Sequence, residues 1–463
     1  MTHDVKNALI SELLEVASDV VDQITSRSRI FDATSEAALP RFEERELSIG
    51  KVIGRGGFCA VKEITKIKSR DSDSFSSFHS LVSSSSERKK KSSIFSSIRS
   101  SSSLSDRSGS ALKATSSRNI PLEECSASTP SHISKEFLIK TSRSSKQPRY
   151  VMKSVQDEAK NESKETYLKG CIDLALEVKY LSSLSHPSIL EVRGVASCGP
   201  FKEGYFIILD RLPEMLPKRL NRWMTVDRQT KGVTGLFTGG KNKVGDLLVE
   251  RLVVAHDIAS ALGYLHEVRV VYRDLKPDNV GFDKHGKPKL FDFGLSKELN
   301  EDERTKDGLY RMTGFTGSIR YMSPEVGTGK PYNEKTDVYS FGILLWYFMA
   351  LEPPFGLYTD RLILERVPKG NRPVLMDSWP DGVKSLINRC WSGKIKSRPS
   401  FKTVMKLLKD EVAPIDTQKV REMTHYPAKQ PFDTSIELPI EASIKQLERS
   451  IEFEFFPKDT QDC

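Results

Sequence analysis

The chain has 463 residues, of which 38% are hydrophobic and 29% are charged, so both globular and strongly polar segments are expected. Its 71 Lys and Arg against 62 Asp and Glu give a net charge of +9, and residues 62–149 alone, with 17 basic and 8 acidic side chains, hold an excess of the same size. A basic excess confined to one stretch argues against a nucleic-acid-binding protein, whose basic residues should cluster on a folded face.

The N-terminus, the longest apolar run and the cysteines exclude further classes. The run at residues 341–351 is shorter than the ~20 residues that cross a bilayer, and the acidic residues near the N-terminus do not suit a signal peptide. The six cysteines are scattered, without a CxxC pair. This favours reduced thiols and predicts a cytoplasmic protein, with the nucleus as an additional location.

The N-terminal extension, residues 1–45, begins with a predicted helix. Apolar residues recur at three- and four-residue steps over residues 4–25, which predicts a helix with a wide apolar stripe. Such a stripe indicates burial. The helix packs either on the rest of this chain or on a partner.

A large insert follows two predicted strands, which span residues 46–68 and flank a glycine-rich loop. Residues 69–146 are rich in serine and lose all apolar periodicity, so this insert is predicted to be disordered. Its basic runs beside serines indicate a phosphorylated regulatory segment. An inert loop, a nuclear signal and a lipid-binding patch are the alternatives.

The remainder reads as strands first and helices later, which predicts an α+β architecture in two lobes. Strands are predicted at residues 150–155, 205–209, 270–272, 280–282 and 289–291, and helices at 173–184, at 246–266 and repeatedly from 335 onward. A smaller irregular insert is predicted at residues 225–243, and an acidic tail at residues 413–463.

Three motifs in the second half of the chain carry the functional signal. Residues 272–279, Tyr-Arg-Asp-Leu-Lys-Pro-Asp-Asn, are followed by Asp-Phe-Gly at 292–294 and by Ser-Pro-Glu at 323–325. With the glycine-rich loop at 53–61, they resemble the signature set of protein kinases, most closely the tyrosine-kinase-like group of serine/threonine kinases. The resemblance implies the two-lobed kinase fold over residues 46–412, with a β-rich N-lobe and a helical C-lobe.

The resemblance also implies roles for single residues. Asp274 would orient the substrate hydroxyl and accept its proton, and Lys276 would neutralise the transferring phosphoryl group. Asn279, a member of the same loop, and Asp292 would hold Mg²⁺, with Mn²⁺ as the alternative metal. The same resemblance implies that a lysine at position 276 favours Ser and Thr as acceptors, with dual specificity as the alternative.

The nucleotide site is expected in the N-lobe. Lys153 would contact the phosphates of ATP and pair with Glu177 on a helix. The other nucleotide contacts implied by the resemblance are Ile53, Gly54, Gly56, Gly57, Val61, Val151, Leu209 and Gly281. Cys59 replaces the third glycine of the loop, and Tyr272 replaces the usual His, whose place beneath Phe293 an aromatic ring can still fill.

Two positions of the adenine pocket depart from the family pattern. Val151 stands where the family has Ala above the purine ring, and Gly281 stands where it has Leu below the ring. We interpret the two changes as an exchange of volume, because substitutions that conserve volume are tolerated best. A one-residue error in the strand register is the alternative.

Residues 292–325 are the expected activation loop. An arginine such as Arg273, next to the catalytic aspartate, commonly pairs with a loop phosphate, which predicts phosphorylation of Thr313 or Thr316 by an upstream kinase or by the chain itself. Ser318 is expected to have a structural role instead.

Two further contacts are expected in the C-lobe. Asp337 should tie down the backbone of the catalytic loop, and Arg398 should form a buried ion pair with Glu325.

Two classes of function compete. One is an active ATP-dependent protein serine/threonine kinase, and the other is a pseudokinase scaffold that binds nucleotide or partners without turnover. Scaffolds of that kind usually lack at least one of the residues that match Lys153, Asp274 and Asp292. All three are present in this chain, which favours the enzyme. Protein substrates are the expected partners, and the sequence indicates neither which ones nor the oligomeric state.

Overall fold

The computed structural model describes residues 3–68, 134–144, 147–156, 158–159, 163–231 and 240–423. Along these residues the chain builds an N-terminal helical segment, a lobe around a six-stranded sheet and a mainly helical lobe. This order confirms the predicted two-lobed α+β architecture. The predictions made for residues 69–133, and for the aromatic residues of the tail beyond 423, fall outside the described residues.

The N-terminal segment consists of two helices, α1 (His3–Arg27) and α2 (Ala33–Ala37). The predicted helix near the N-terminus is therefore confirmed. Its apolar stripe is only partly covered. Ala17 and Val21 are buried, whereas Val16 and Ile24 are 44% and 41% exposed.

The N-lobe sheet has the strand order β1-β5-β6-β4-β3-β2, with β1 parallel to β5 and the other neighbours antiparallel. The strands are β1 (Arg41–Phe42), β2 (Leu47–Arg55), β3 (Cys59–Ile67), β4 (Tyr150–Val155), β5 (Val192–Ala196) and β6 (Phe206–Asp210). The strands predicted on both sides of the glycine-rich loop are confirmed. The chain therefore closes one sheet across the long insert, since β3 pairs directly with β4.

Helix α3 (Lys135–Arg143) lies inside the predicted disordered insert, so the prediction is wrong for this part. Ser134 caps the helix by accepting a hydrogen bond from the backbone N–H of the third following residue. Lys135 Nζ lies 2.7 Å from Glu46 Oε1, and the Leu138 side chain is fully buried. These contacts order a segment whose own sequence carries little helical signal.

Helix α4 (Lys164–Ser183) packs against the sheet and begins nine residues earlier than predicted. Ser163 caps it by accepting from the Thr166 N–H at 3.0 Å. Gly170 interrupts the helical pattern of the sequence. A larger residue would crowd the loop, because a Cβ at this position would lie 2.9 Å from Phe58 Cβ. Both α1 and α2 pack on α4, so the N-terminal segment belongs to this lobe.

The C-lobe combines short strands with long helices. The strands are β7 (Glu214–Met215), β8 (Val270–Val271), β9 (Val280–Phe282), β10 (Pro288–Leu290) and β11 (Lys297–Glu298). The helices are α5 (Leu216–Lys231), α6 (Gly240–Glu267), α7 (Lys335–Ala350), α8 (Asp360–Arg366), α9 (Asp381–Cys390), α10 (Phe401–Val412) and α11 (Thr417–Glu422). The predicted strands lie within one residue of the observed ones.

Two predicted irregular segments are shorter than expected. Helices α5 and α6 occupy the two ends of the stretch predicted at 225–243, so that prediction is wrong outside 232–239, which lie beyond the described residues. The predicted tail starts with ordered structure, because α11 packs on α10 and Met423 is 2% exposed.

Helix α7 is the centre of the C-lobe, since nearly all of its side chains are buried. Arg398 binds Glu325 through two hydrogen bonds of 2.5 and 2.8 Å, which confirms the predicted buried ion pair.

Within the described part of the chain, none of the helices is both long and apolar enough to cross a membrane.

Candidate active site

Asp274 lies in the loop between β8 and β9, and four donors surround its carboxylate. Oδ1 accepts hydrogen bonds from the backbone N–H and the hydroxyl of Ser318 at 2.9 and 2.8 Å. Oδ2 accepts from Lys276 Nζ at 2.7 Å and from Asn279 Nδ2 at 3.0 Å. The structure thus brings together the three residues predicted to act in catalysis, and it holds the carboxylate in one orientation.

Asp337, in the first turn of α7, fixes this catalytic loop. Its two carboxylate oxygens accept hydrogen bonds from the Tyr272 N–H at 2.9 Å and from the Arg273 N–H at 2.8 Å, as predicted. Arg273 adopts φ +69°, in the left-handed region that non-glycine residues rarely occupy. His266 Nε2 lies 2.9 Å from Asp337 Oδ2. The loop backbone is therefore strained locally and held by contacts from α6 and α7.

Lys153 of β4 meets two carboxylates from separate elements. Its Nζ lies 2.5 Å from Glu177 Oε2 of α4 and 3.3 Å from Asp292 Oδ1. Burial alone would lower the pKa of Lys153, but the charges of Glu177 and Asp292 outweigh it and raise that pKa. The lysine is therefore protonated at neutral pH and presents a fixed positive charge.

The Lys153 cluster adjoins the catalytic loop. The Phe291 N–H, immediately before Asp292, donates to the Asn279 carbonyl at 3.3 Å. The Phe293 ring packs edge-on against Tyr272, with ring centroids 5.3 Å apart, as expected for an aromatic replacement of the usual His. The two groups of polar residues thus form one site between the lobes.

The glycine-rich loop turns between β2 and β3 and is held by Gln156. Gly56 N–H donates to the Cys59 carbonyl at 2.8 Å, and Gln156 Nε2 donates to the Gly56 and Cys59 carbonyls, both at 3.0 Å. A Cβ on Gly57 would meet no atom within 4 Å, and Ile53 is 41% exposed. Burial raises the pKa of Cys59 to about 12, so this thiol stays protonated at neutral pH.

The strand ladder arranges the other expected nucleotide contacts. Gly54 lies opposite Val61, Val61 lies opposite Lys153, and Val151 lies opposite Leu209. Because Lys153 also reaches Glu177, the strand register is the one that the sequence predicts. β4 pairs with both neighbours without a register shift, and the positions of Val151 and Gly281 relative to a purine ring stay a prediction.

Gly281 of β9 faces a partner that the sequence did not indicate. A Cβ at this position would lie 2.5 Å from Leu212 Cδ1 and 3.2 Å from Met215 Sδ. Leu212 follows β6 and packs on the core. The space beside Gly281 is thus filled by Leu212, and the proposed exchange of volume with Val151 stays a prediction.

Asn279 and Asp292 offer the side-chain oxygens that are expected to hold a metal ion. Asn279 Nδ2 also donates to the Asp274 carbonyl at 2.9 Å, which leaves its amide oxygen for other contacts. The Asp292 side chain is 45% exposed beside Lys153. Amide and carboxylate oxygens suit Mg²⁺, and phosphate oxygens would complete its shell. The two side-chain oxygens therefore fit such a metal when phosphate oxygens of a nucleotide supply further ligands.

Arg273 contacts one of the two threonines that are predicted to be phosphorylated. Its Nη1 donates to Thr313 Oγ1 at 3.1 Å and to Tyr332 OH at 3.3 Å, and Tyr332 OH donates to the Thr313 carbonyl at 2.8 Å. The Thr316 hydroxyl donates to the carbonyls of Thr313 and Gly314. Of the two threonines, Thr313 is the one that contacts the arginine.

Sequence reasoning missed three residues of the site: Gln156, His266 and Leu212. Gln156 follows the predicted strand that ends at 155, and His266 ends the predicted helix at 246–266, so their positions were available. Their partners were not, because Gln156 contacts a loop 100 residues earlier and His266 contacts a carboxylate 71 residues later. No motif in the sequence marks Leu212, and the unusual glycine at position 281, which faces it, was the one available indication.

Comparison with known proteins assigns this arrangement to a family. A family model described as the protein kinase domain matches residues 138–408, more than half of the chain. A probable LIM domain-containing serine/threonine-protein kinase of Dictyostelium discoideum is 39% identical over 163 residues, covering 35% of this chain and 16% of the relative. A dual specificity protein kinase of the same organism is 30% identical over 235 residues, covering 50% of this chain and 32% of the relative.

A third relative is mitogen-activated protein kinase kinase kinase 12 of Rattus norvegicus, which is 29% identical over 266 residues, covering 57% of this chain and 26% of the relative. The chain thus spans a third or less of the length of these three relatives. All three relatives are named as protein kinases, one of them as a serine/threonine kinase and one as a dual specificity kinase. On the family match and the site geometry together, the chain belongs to the protein kinase family.

Proposed function

We propose that this chain is an ATP-dependent protein kinase that transfers the γ-phosphate of ATP to Ser and Thr hydroxyls of proteins. The observation that carries the proposal is the complete polar set in one cleft. Lys276 and Asn279 both donate hydrogen bonds to Asp274, and Lys153 lies between Glu177 and Asp292. The serine/threonine kinases among the relatives support the same reaction.

The proposed mechanism depends on positioning and charge more than on covalent chemistry. Asp274 orients the substrate hydroxyl and takes its proton as the hydroxyl oxygen bonds to the γ-phosphorus, while the bond from that phosphorus to the β–γ bridging oxygen breaks and ADP leaves. Lys276, whose Nζ lies 2.7 Å from Asp274 Oδ2, neutralises the phosphoryl oxygens. Lys153, held by Glu177, contacts the α- and β-phosphates. Mg²⁺ or Mn²⁺ bound through Asn279 and Asp292 would supply positive charge to the phosphates.

Identification of the phosphorylated amino acid tests the acceptor class. Purified full-length chain is incubated with labelled ATP, Mg²⁺ and a general protein substrate, and the labelled residues are identified by acid hydrolysis. Phosphoserine and phosphothreonine are expected, and Asp292→Asn should lower incorporation by at least a hundredfold, in the range of removing one electrostatic contact. Phosphotyrosine as the main product would contradict Ser/Thr specificity, and bound nucleotide without any transfer would favour the scaffold.

We further propose that phosphorylation of Thr313, by an upstream kinase or by the chain itself, regulates the activity. A phosphate on Thr313 would face the Arg273 guanidinium and add a charge-assisted contact to the catalytic loop. Thr313→Ala should then lower the activity of the phosphorylated chain severalfold, whereas Thr316→Ala should not. Active protein without phosphate on Thr313, identified by mass spectrometry, would contradict this regulation.

The remaining proposals concern location and partners. Protein substrates are the proposed partners, and the cytoplasm is the proposed location, with the nucleus in addition. The basic excess of residues 62–149 is not assigned a nucleic-acid partner.

A further inference from the structure

Residues 28–36 bridge two elements whose relative position sets the geometry of the site. On one side they contact α4: the Asp32 N–H donates to the Ser183 hydroxyl at 2.9 Å, and Glu36 pairs with Lys179 at 3.1 Å. On the other side they reach β11, which follows Asp292 in the expected activation loop. The N-terminal segment therefore joins the helix that carries the carboxylate partner of Lys153 to the start of that loop.

Ser28 makes the contact with β11. Its hydroxyl donates to Glu298 Oε2 at 2.7 Å, and the Arg29 N–H donates to Glu298 Oε1 at 3.1 Å. Ser28 Oγ also accepts the N–H groups of Ile30 and Phe31 at 3.2 and 3.1 Å. One hydroxyl thus shapes the turn before Phe31 and fixes that turn to the activation loop.

Four aromatic rings follow one another from this turn to the catalytic loop. Phe31 meets Tyr180 of α4 edge-on with centroids 4.8 Å apart, Tyr180 meets Phe293 at 6.0 Å, and Phe293 meets Tyr272 at 5.3 Å. Tyr180 OH also donates to the Ser296 carbonyl at 3.2 Å. The last two rings belong to the residue after the expected metal ligand and to the first residue of the catalytic loop.

We propose that Phe31 is a positioning residue for phosphoryl transfer. The Phe31 ring is held in place through Ser28 and Glu298 and keeps Tyr180 packed against Phe293. This packing keeps α4 and Asp292 in the positions that surround Lys153. The inference rests on the proposed phosphotransfer activity. The N-terminal segment then acts as an activating element within the same chain, and detachment of Ser28 from Glu298 shifts the population toward less active conformers.

Phe31→Ala in the full-length chain tests this role by kinetics. The kcat for phosphotransfer should fall by about fivefold to tenfold, as expected when one aromatic contact is lost, while the KM for ATP stays within about twofold. Phe31→Tyr, which keeps a ring, should restore most of the kcat. Val16→Ala on the exposed face of α1 is the matched control and should leave the kcat unchanged.

Amide hydrogen exchange supplies a readout that does not require activity. In Phe31→Ala, exchange should become faster in α4 and in residues 292–298 but not in the distant helix α10. Unchanged kcat and unchanged exchange in α4 would overturn the proposal. Faster exchange everywhere with a general loss of thermal stability would overturn it as well, because Phe31 would then serve only the fold. If the wild-type chain transfers no phosphate, the proposed function fails, and the exchange pattern alone decides whether Phe31 positions α4.

A second pair of variants tests the contact that holds Phe31 in place. Ser28→Asp places a carboxylate against Glu298 and should lower the kcat by about as much as Phe31→Ala. Adding Glu298→Gln removes the repulsion and should recover part of the loss, so the two changes should be non-additive. Additive effects, or no effect of Ser28→Asp, would show that the Ser28–Glu298 contact does not support the packing of the four aromatic rings.

Discussion

Leu212 packs where a larger side chain at position 281 would need to lie. A Cβ at position 281 would lie 2.5 Å from Leu212 Cδ1 and 3.1 Å from Leu212 Cβ, so a larger residue there requires Leu212 to shift. Overpacking of this kind typically costs about 1–3 kcal/mol. The choice of glycine in β9 is therefore tied to the residue that follows β6.

Gly281→Ala should weaken ATP binding by about tenfold, because the new methyl group displaces Leu212 at the cleft. Adding Leu212→Ala should restore the affinity, and adding Val151→Ala should restore it less. Titration calorimetry with ATP and Mg²⁺ measures all three. Gly199→Ala is the control, since a Cβ there meets no atom within 4 Å. Rescue by Val151→Ala but not by Leu212→Ala would contradict this account and favour the exchange of volume suggested by the sequence.

Single residues also show how far the sequence could predict the site. Lys153, Glu177, Asp274, Asn279 and Asp292 were all available from motif resemblance, and the structure brings them into one cleft. Leu212 and Gln156 were not, because their roles depend on which atoms meet after folding. A motif states a residue type and a spacing, whereas a packing contact has no fixed spacing.

A buried ion pair joins Glu325, at the end of the expected activation loop, to Arg398, which precedes helix α10. Arg398 is 2% exposed and binds both carboxylate oxygens of Glu325. Burial alone would raise the pKa of Glu325, but the hydrogen bonds and charge of Arg398 outweigh it and lower that pKa. Removing one partner would leave a buried charge without compensation.

Arg398→Met should lower the free energy of unfolding by about 3–5 kcal/mol at pH 7. The folded pKa of Glu325 lies below its unfolded value, so the pair stabilises fully above the unfolded pKa and loses its effect as the pH falls through the folded pKa. The difference between variant and wild type should therefore shrink on acidification, as measured by urea unfolding at neutral and acidic pH. Lys369→Met breaks an exposed pair with Glu365 and should leave the free energy of unfolding nearly unchanged. A loss as small as this control would contradict the role assigned to Arg398.

At the level of elements, long periodic segments were predictable and short dependent ones were not. Helix α1 and the long helix α6 follow from apolar spacing alone. Helix α3 has nine residues and depends on Lys135 meeting Glu46 and on burial of Leu138. A helix of that length is marginal without tertiary contacts, so its sequence alone indicates no element.

At the scale of the whole molecule, the long insert begins and ends at one place. The Lys68 N–H donates to the Glu46 carbonyl at 2.8 Å, and Lys135 binds the side chain of the same glutamate at 2.7 Å. The two described segments on either side of residues 69–133 therefore meet at Glu46. Motif resemblance predicted both lobes, but it could not predict that the N-terminal segment packs on α4 and reaches β11, since no motif describes those contacts.

We propose that the polar set between the lobes transfers phosphate. The most direct measurement is the rate at which the purified chain moves label from γ-labelled ATP to protein, compared with Asp274→Asn, alongside the ATP affinity of both. The account predicts transfer by the wild type, a loss of at least about a hundredfold in Asp274→Asn, and similar ATP affinity in the two proteins, because Asp274 contributes to the reaction and not to nucleotide binding. Equal transfer by both proteins, or no transfer by the wild type despite bound ATP, would contradict it.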